Sequence, residues 1–304
     1  MKRGFFCLVL NFEEITLKDR EWISGLFRLG GRASLDYSFT TCYVWRYIFG
    51  YRVARMGDYA ILKAEEDGGS YLFPTGRGPL EPVIEAIIED ARECGARMRF
   101  NTLLESDKEW LEARFPDRFD YIPCRENADY IYEAERLATL SGKKLAAKRN
   151  HINRFVESYP DWAYEPITEA NMEAVRRMNL EWNLASNDKQ DEILSGEYCA
   201  VEQAMTHFRE LGLSGGLIRS GGRVLAFAIG DALSNDTFLV HFEKAFADVQ
   251  GAYQIINREF VKHNCMDYAF VDREEDAGVE GLRKAKLSYD PLKLVSKYAA
   301  ILRE

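Results

Sequence analysis

The chain has 304 residues, 47% hydrophobic, 13% aromatic and 29% charged, which is enough apolar surface for a full-sized core and excludes a disordered chain. At roughly 150 residues per domain the length points to two domains, and no run approaches the roughly 18 apolar residues of a spanning helix. A net charge of −9 excludes a general nucleic-acid coat protein but leaves room for one local basic groove.

Met1-Lys2-Arg3 and the apolar Gly4 to Leu10 are at the lower limit for a signal peptide, and Asn11-Phe12-Glu13-Glu14 offers no small-residue cleavage site. They read as a tail leading into the first domain of a cytoplasmic protein. Thr16 caps a helix with Trp22, Ile23, Leu26 and Phe27 on one face, stopped by Gly30-Gly31. The aromatic segment Tyr37 to Phe49 reads as part helix, and its stripe from Tyr43 to Phe49 as core rather than a cofactor box. Strands follow at 51–59 and 60–64, turned at Gly57-Asp58, and a short one at 71–74. Pro82 to Cys94 is an amphipathic helix with Val83, Ile84, Ile87 and Ile88 inward. Strands at 98–102 and 119–123 bracket a helix at 107–114.

From Ser141 to Pro160, Leu145, Ile152, Phe155, Val156 and Tyr159 share a helical face, which reads as a packed connector. The second half repeats the mixed order of the first. Helices at 168–182 and 198–211 precede strands at 215–219, 224–233 and 237–242, with tight turns at Gly221-Gly222 and Ser234-Asn235-Asp236. A helix at 253–263, a strand at 268–271, a short helix at 279–286 and a closing strand at 293–301 complete it. Cys7, Cys42, Cys94, Cys124, Cys199 and Cys265 form no CxxC pair and read as reduced, buried thiols, Tyr198-Cys199-Ala200 being an example of a core context.

Several motifs are long and particular. They are Ala128-Asp129-Tyr130-Ile131-Tyr132, Leu140-Ser141-Gly142-Lys143-Lys144, Lys148-Arg149-Asn150, Val240-His241-Phe242-Glu243-Lys244-Ala245, Gly251-Ala252-Tyr253-Gln254 and Arg273-Glu274-Glu275-Asp276-Ala277-Gly278, the last running into Gly281 to Tyr289. On these residues the chain resembles the bacterial family related to the C-terminal domain of phosphatidylglycerol lysyltransferase. The element order of the second half likewise resembles a GNAT acyltransferase domain. The resemblance implies an α+β fold of two tandem GNAT-like domains, at 12–140 and 161–304, joined by a connector helix at 141–160. It further implies kinship to enzymes that move an aminoacyl group from a charged tRNA onto a lipid or a peptidoglycan peptide. No counterpart of the lysyltransferase's multi-helix membrane portion lies within these residues, so a lipid acceptor is not carried over.

The residues themselves supply candidates. Glu243 and Lys244 sit mid-strand among apolar neighbours, where charges are costly unless each meets a partner or a ligand. Alternation puts His241 and Glu243 on one face and Lys244 on the other. Glu243 is the candidate base or amine grip, with an ion pair to Arg273 or Lys286 as its structural alternative. Arg273, Glu274 and Asp276 follow the next strand and reach the same end of the sheet. Tyr289 is the candidate proton donor, or else packs with Pro291.

Gln250, Gly251 and Ala252 begin a helix where backbone N–H groups suit a donor's phosphates, or form an ordinary turn. Lys144, Lys148 and Arg149, with Lys143 and Arg154, make a basic segment free of acids. Arg283, Lys284, Lys286, Lys293 and Lys297 make a second; each could hold tRNA or nucleotide phosphates, or be a solvated face. His207 and His263 have no Cys or His at metal spacing, so no metal is expected. GxSxG, P-loop, HExxH and GxGxxG motifs are absent, which removes the footing for hydrolase, NTPase and dinucleotide readings. The expectation is therefore a transferase that requires no bound cofactor. Its donor is aminoacyl-tRNA or a coenzyme A ester, and its acceptor a small molecule or peptide. The alternative is an inactive binding module of the same fold.

Overall fold

Turn and capping residues set most element boundaries in the computed structural model, which describes residues 10–65, 69–186 and 192–303. The N-terminal tail up to residue 9, with Cys7, lies outside the described residues. After β1 (Glu13–Glu14), the Thr16 N–H and hydroxyl both donate to Asp19 Oδ2, at 2.8 and 2.7 Å, and start the turn into α1 (Arg20–Gly30). The aromatic segment folds as α2 (Phe39–Val44) and α3 (Arg46–Phe49). β2 (Arg52–Met56) and β3 (Tyr59–Ala64) pair across Gly57-Asp58, followed by β4 (Ser70–Tyr71) and β5 (Thr75–Gly76). Then come α4 (Glu81–Glu93), β6 (Arg99–Leu104), α5 (Glu105–Arg114) and β7 (Phe119–Pro123). Val83, Ile84 and Ile87 of α4 are buried with Phe73, Phe100 and Phe119 in one core.

The remainder begins with β8 (Asp129–Glu133), α6 (Ala134–Thr139), α7 (Ala146–Ser158) and β9 (Ala163–Pro166). α8 (Met172–Ser186) and α9 (Glu192–Thr206) lead to β10 (Ser214–Ser220), β11 (Arg223–Ala232) and β12 (Thr237–Ala245). α10 (Ala252–Asn264), β13 (Phe270–Asp272), α11 (Glu280–Leu287), β14 (Lys293–Val295) and β15 (Lys297–Leu302) end the chain. The strand order is β1-β2-β3-β4-β6-β15-β7 in one sheet, with β5 on β3, and β14-β8-β13-β12-β11-β10-β9 in the other. Both sheets are mixed: β4 runs parallel to β6, and β12 parallel to β13. Two antiparallel hairpin steps from β10 to β12, a helix, then a parallel β13 is the arrangement that the resemblance implied.

One unit contains the described residues up to Arg32, Asp36–Asn127 and those from Ser296; the other contains Ala33–Leu35 and Ala128–Val295. This differs from divisions at 140 and 160 in three ways. β8 pairs with β13 and β14, so residues 128–140 belong with the second sheet. α7 is no connector between units, because Ile152 and Phe155 are buried within the second unit. The closing strand is two strands, broken at Ser296, of which β14 pairs with β8 and β15 with β6 and β7. Alternation reports which face a residue takes and not which sheet it joins. β8 and β9 were not anticipated as strands.

Cys42, Cys124 and Cys265 are buried free thiols, but Cys94 and Cys199 are exposed. Cys199 fails the expectation because it lies on the outer side of α9, whereas Ala200 takes the buried side. No helix among the described residues is long and apolar enough to cross a membrane.

Candidate functional site

The strand that carries the candidate residues is interrupted. β11 and β12 pair Ala228 with Glu243 and Ile229 with Phe242, then Gly230 with Val240. His241 is left as an extra residue, a β-bulge, and a one-residue slip exchanges faces. Gly230 permits this, since a Cβ there would lie 2.2 Å from the Leu239 carbonyl oxygen. His241 and Glu243 consequently do not share partners as strict alternation predicts. His241 Nε2 meets Asp231 at 2.9 Å and Nδ1 meets Glu274 at 3.2 Å. Burial opposes its charge, but these carboxylates outweigh that and raise its pKa to about 10.

Glu243 turns towards α10. Its Oε2 accepts from Asn257 Nδ2 at 2.9 Å and its Oε1 from Arg273 Nη2 at 2.9 Å. Of the alternatives that the sequence left open, the pair with Arg273 is the one formed. Each carboxylate oxygen of Glu243 thus accepts one side-chain hydrogen bond. Burial opposes the charge of Arg273, and Glu243 outweighs it and keeps the guanidinium protonated. The guanidinium carbon lies 4.7 Å from the Tyr289 ring centre and 5.6 Å from that of Tyr132.

Tyr289 is buried, and burial lifts its hydroxyl well above the usual tyrosine range against the pull of Arg273, so it keeps its proton. Lys148, half-buried on α7, donates to Ser288 Oγ at 2.6 Å with its ammonium 4.1 Å from the Tyr289 ring centre. Burial and the neighbouring Arg273 lower its pKa. Three buried polar atoms in this group have no hydrogen-bond partner: Arg273 Nη1, Tyr289 Oη and Asn257 Oδ1. A donor or acceptor buried unsatisfied costs about 1–3 kcal/mol, which a bound polar group would recover.

The remaining candidates divide by role. Lys244, facing away from Glu243, pairs with Glu197 and stacks 3.5 Å from the Trp182 ring centre; burial lowers its pKa against the pull of Glu197. Asp276, with no solvent exposure, accepts from Arg283 at 2.9 and 2.8 Å, from Tyr130 Oη at 2.6 Å and from the Gly278 N–H at 3.0 Å. Lys286 is buried and donates to the carbonyls of Arg273 and Glu275. Lys284 is exposed and pairs with Glu280 one turn away. The second basic segment is therefore not one stripe, for Lys297 is buried against Asp36 in the first unit.

Arg149 donates to the carbonyls of Leu140 and Gly142, and Lys144 pairs with Asp290 at 2.8 Å, so of that segment Lys148 alone reaches Tyr289. Gly251 is at φ +84°, and a Cβ on it would lie 2.4 Å from the His151 carbonyl oxygen and 2.9 Å from Phe155 Cβ. Close packing of α7 thus accounts for this glycine; Ala252 is buried beside it and Gln250 is exposed. Among the described residues no cluster of three or more His, Cys, Asp or Glu is placed to hold a metal. Sequence reasoning missed Tyr132 and Asn257. The signal for Asn257 was there, a polar residue beside Ile256, Phe260 and Val261 on the buried side of α10.

A family model described as phosphatidylglycerol lysyltransferase, C-terminal, matches residues 27–301. The chain belongs to this family. Solved structures share its fold over nearly the whole length. A conserved protein of unknown function from Bacteroides thetaiotaomicron is 38% identical, with a TM-score of 0.92 over 97% of this chain and 100% of its own. The C-terminal domain of a provisional lysylphosphatidylglycerol synthetase from Agrobacterium fabrum is 16% identical, with a TM-score of 0.69 over 94% and 92%. An uncharacterized protein of Mycoplasmoides gallisepticum is 25% identical over 203 residues, 62% of this chain and 60% of that curated relative's length.

Proposed function

We propose that the chain is a cytoplasmic aminoacyl- or acyltransferase, and that the carbonyl of an activated acyl group docks between Arg273 Nη1 and Tyr289 Oη. One observation carries this reading: two buried, unpartnered donors belong to a guanidinium and a neutral phenol, with the guanidinium carbon 4.7 Å from the phenol's ring centre. An acyl ester is already activated and needs mainly orientation and charge stabilisation. As the acceptor's amine or hydroxyl attacks, the new bond forms at the carbonyl carbon and its oxygen becomes an oxyanion, held by the Arg273 N–H. The bond to the leaving oxygen or sulfur then breaks, and Tyr289 hands over its proton. The tyrosinate left between Arg273 and Lys148 recovers the proton that the attacking group sheds. Glu243 holds Arg273 in place. Asn257 Oδ1, aligned beyond Glu243, suits the amine of an α-aminoacyl group, which favours aminoacyl-tRNA over acyl-CoA as donor. The packing of α7 against Gly251 supports the same choice.

The test is incubation with tRNA charged with a labelled amino acid, in the presence of amine and peptide acceptors. Label is expected to leave the tRNA with wild-type protein and to stay with Arg273→Ala. No transfer and no retained tRNA at low salt overturns the aminoacyl-tRNA version. The engagement of both Glu243 oxygens favours a second reading, a binding module without chemistry. On that reading, amino acids or polyamines raise the melting temperature while label never moves.

A further inference from the structure

The loop that presents Arg273 is unusually tied down. Glu274 and Ala277 are non-glycine residues at positive φ, +57° and +48°, and such backbone persists only where its surroundings over-determine it. The Glu274 N–H donates to Asp272 Oδ1 at 2.8 Å, and the Arg273 N–H to the Tyr130 carbonyl at 3.0 Å. The Tyr130 N–H donates in return to the Glu274 carbonyl at 3.2 Å. From α11, Lys286 reaches in and donates to two carbonyls of the same loop, those of Arg273 and Glu275.

That placement is costly. Lys286 is the buried residue of α11, its ammonium donates to backbone carbonyls, and burial outweighs the pull of Glu275, Glu274 and Asp272, so that its pKa is lowered. What the contact does achieve is geometric. Arg273 starts the loop, and Tyr289 follows two residues after the end of α11. The Lys286 backbone accepts from the Tyr132 hydroxyl at 2.7 Å and from the Tyr289 N–H at 3.1 Å. One residue thus ties together both segments that supply the orphaned pair.

We infer that Lys286 is a positioning residue, setting the separation of Arg273 Nη1 and Tyr289 Oη by clamping the 273–275 backbone to α11 without touching substrate. This rests on the transferase reading of the pair. The sequence had placed Lys286 among substrate-binding groups; its hydrogen bonds are to the loop.

Two measurements on the full chain test it, hydrogen exchange of the peptide covering residues 272–280 and transfer kinetics with charged tRNA as donor. Lys286→Met fills similar volume without donors. It is expected to fold, to speed exchange of the loop amides, and to lower kcat about tenfold or more with KM for the donor changed less than about threefold. Lys286→Arg, which keeps donors, is expected to restore both. Unchanged exchange and kcat in a folded Lys286→Met overturns the inference, as does a rise in KM alone, which marks direct contact with the donor. Should Lys286→Met fail to fold, Lys286→Leu, which likewise carries no donor, is read in the same two ways. If wild-type protein transfers no label, the transferase reading falls, and the exchange measurement still decides whether the clamp exists.

Discussion

Replacing Gly251 with alanine is expected to damage the fold whether or not a ligand binds, and the size of the loss can be worked from two terms. The first is conformational: at φ +84° an alanine pays about 1–2 kcal/mol that glycine does not. The second is steric, because the new methyl would sit 2.4 Å from the His151 carbonyl oxygen and 2.9 Å from Phe155 Cβ. Neither neighbour is the free end of a flexible side chain, so α7 must move, and overpacking of this kind costs about 1–3 kcal/mol. Gly142 supplies the control. It has φ +87° with nothing within 4 Å of a built Cβ, so Gly142→Ala carries the conformational term alone. Urea unfolding followed by circular dichroism should therefore show Gly251→Ala less stable than Gly142→Ala by about 1–3 kcal/mol. Equal losses would refute the packing of α7 on Gly251. That result would return the glycine to the phosphate-cradling role that the sequence suggested. A loss of coenzyme A affinity in Gly251→Ala, taken alone, decides nothing between these roles.

Three further outcomes follow from the same geometry. Tyr289→Phe removes a buried hydroxyl that has no partner, so unfolding free energy should rise, by up to about 1–3 kcal/mol, while label transfer from charged tRNA falls at least about tenfold; a stability loss would show that the hydroxyl is bonded after all. His241 has a folded pKa raised to about 10, so its contribution is fully present below its unfolded value near 6.5 and is lost as pH rises towards 10. Urea midpoints should fall across that range, by on the order of 5 kcal/mol in stability for a rise from 6.5 to about 10, and His241→Asn should flatten the decline. Asp276→Asn weakens the hydrogen bonds that buried Asp276 accepts from the part-exposed Arg283 and should cost about 1–3 kcal/mol at neutral pH, measured by urea unfolding. Since the Asp276 pKa is depressed, its contribution is present above about pH 4 and lost as pH falls, so the variant should lose part of the wild-type acid transition.

Much of this was legible in the residues because the signals were local. Glycines and prolines punctuate helices such as α1 and α4 where expected, and the three antiparallel strands β10 to β12 come from period-two runs with two tight turns between them. What failed was non-local. Nothing in the alternation of residues 293–301 says that Lys297 should pair with Asp36, some 260 positions earlier, while Leu294 pairs with Tyr130. The same limit applied to residues 128–140, which pair with β13 and β14 and whose buried Tyr130 and Tyr132 donate to Asp276 and the Lys286 carbonyl, far along the chain.

The site shows the limit most sharply. Strict period two predicts His241 beside Glu243, and one extra residue in β12 separates them. That bulge follows from the approach of Gly230 to the Leu239 carbonyl, a contact between strands that no single-strand pattern encodes. With His241 drawn off to Asp231 and Glu274, Arg273 faces one carboxylate and keeps one nitrogen unspent. The charged residues of this apolar strand thus meet partners on other elements, and on the proposed reading the group offered to a substrate is the arginine's second nitrogen rather than the glutamate.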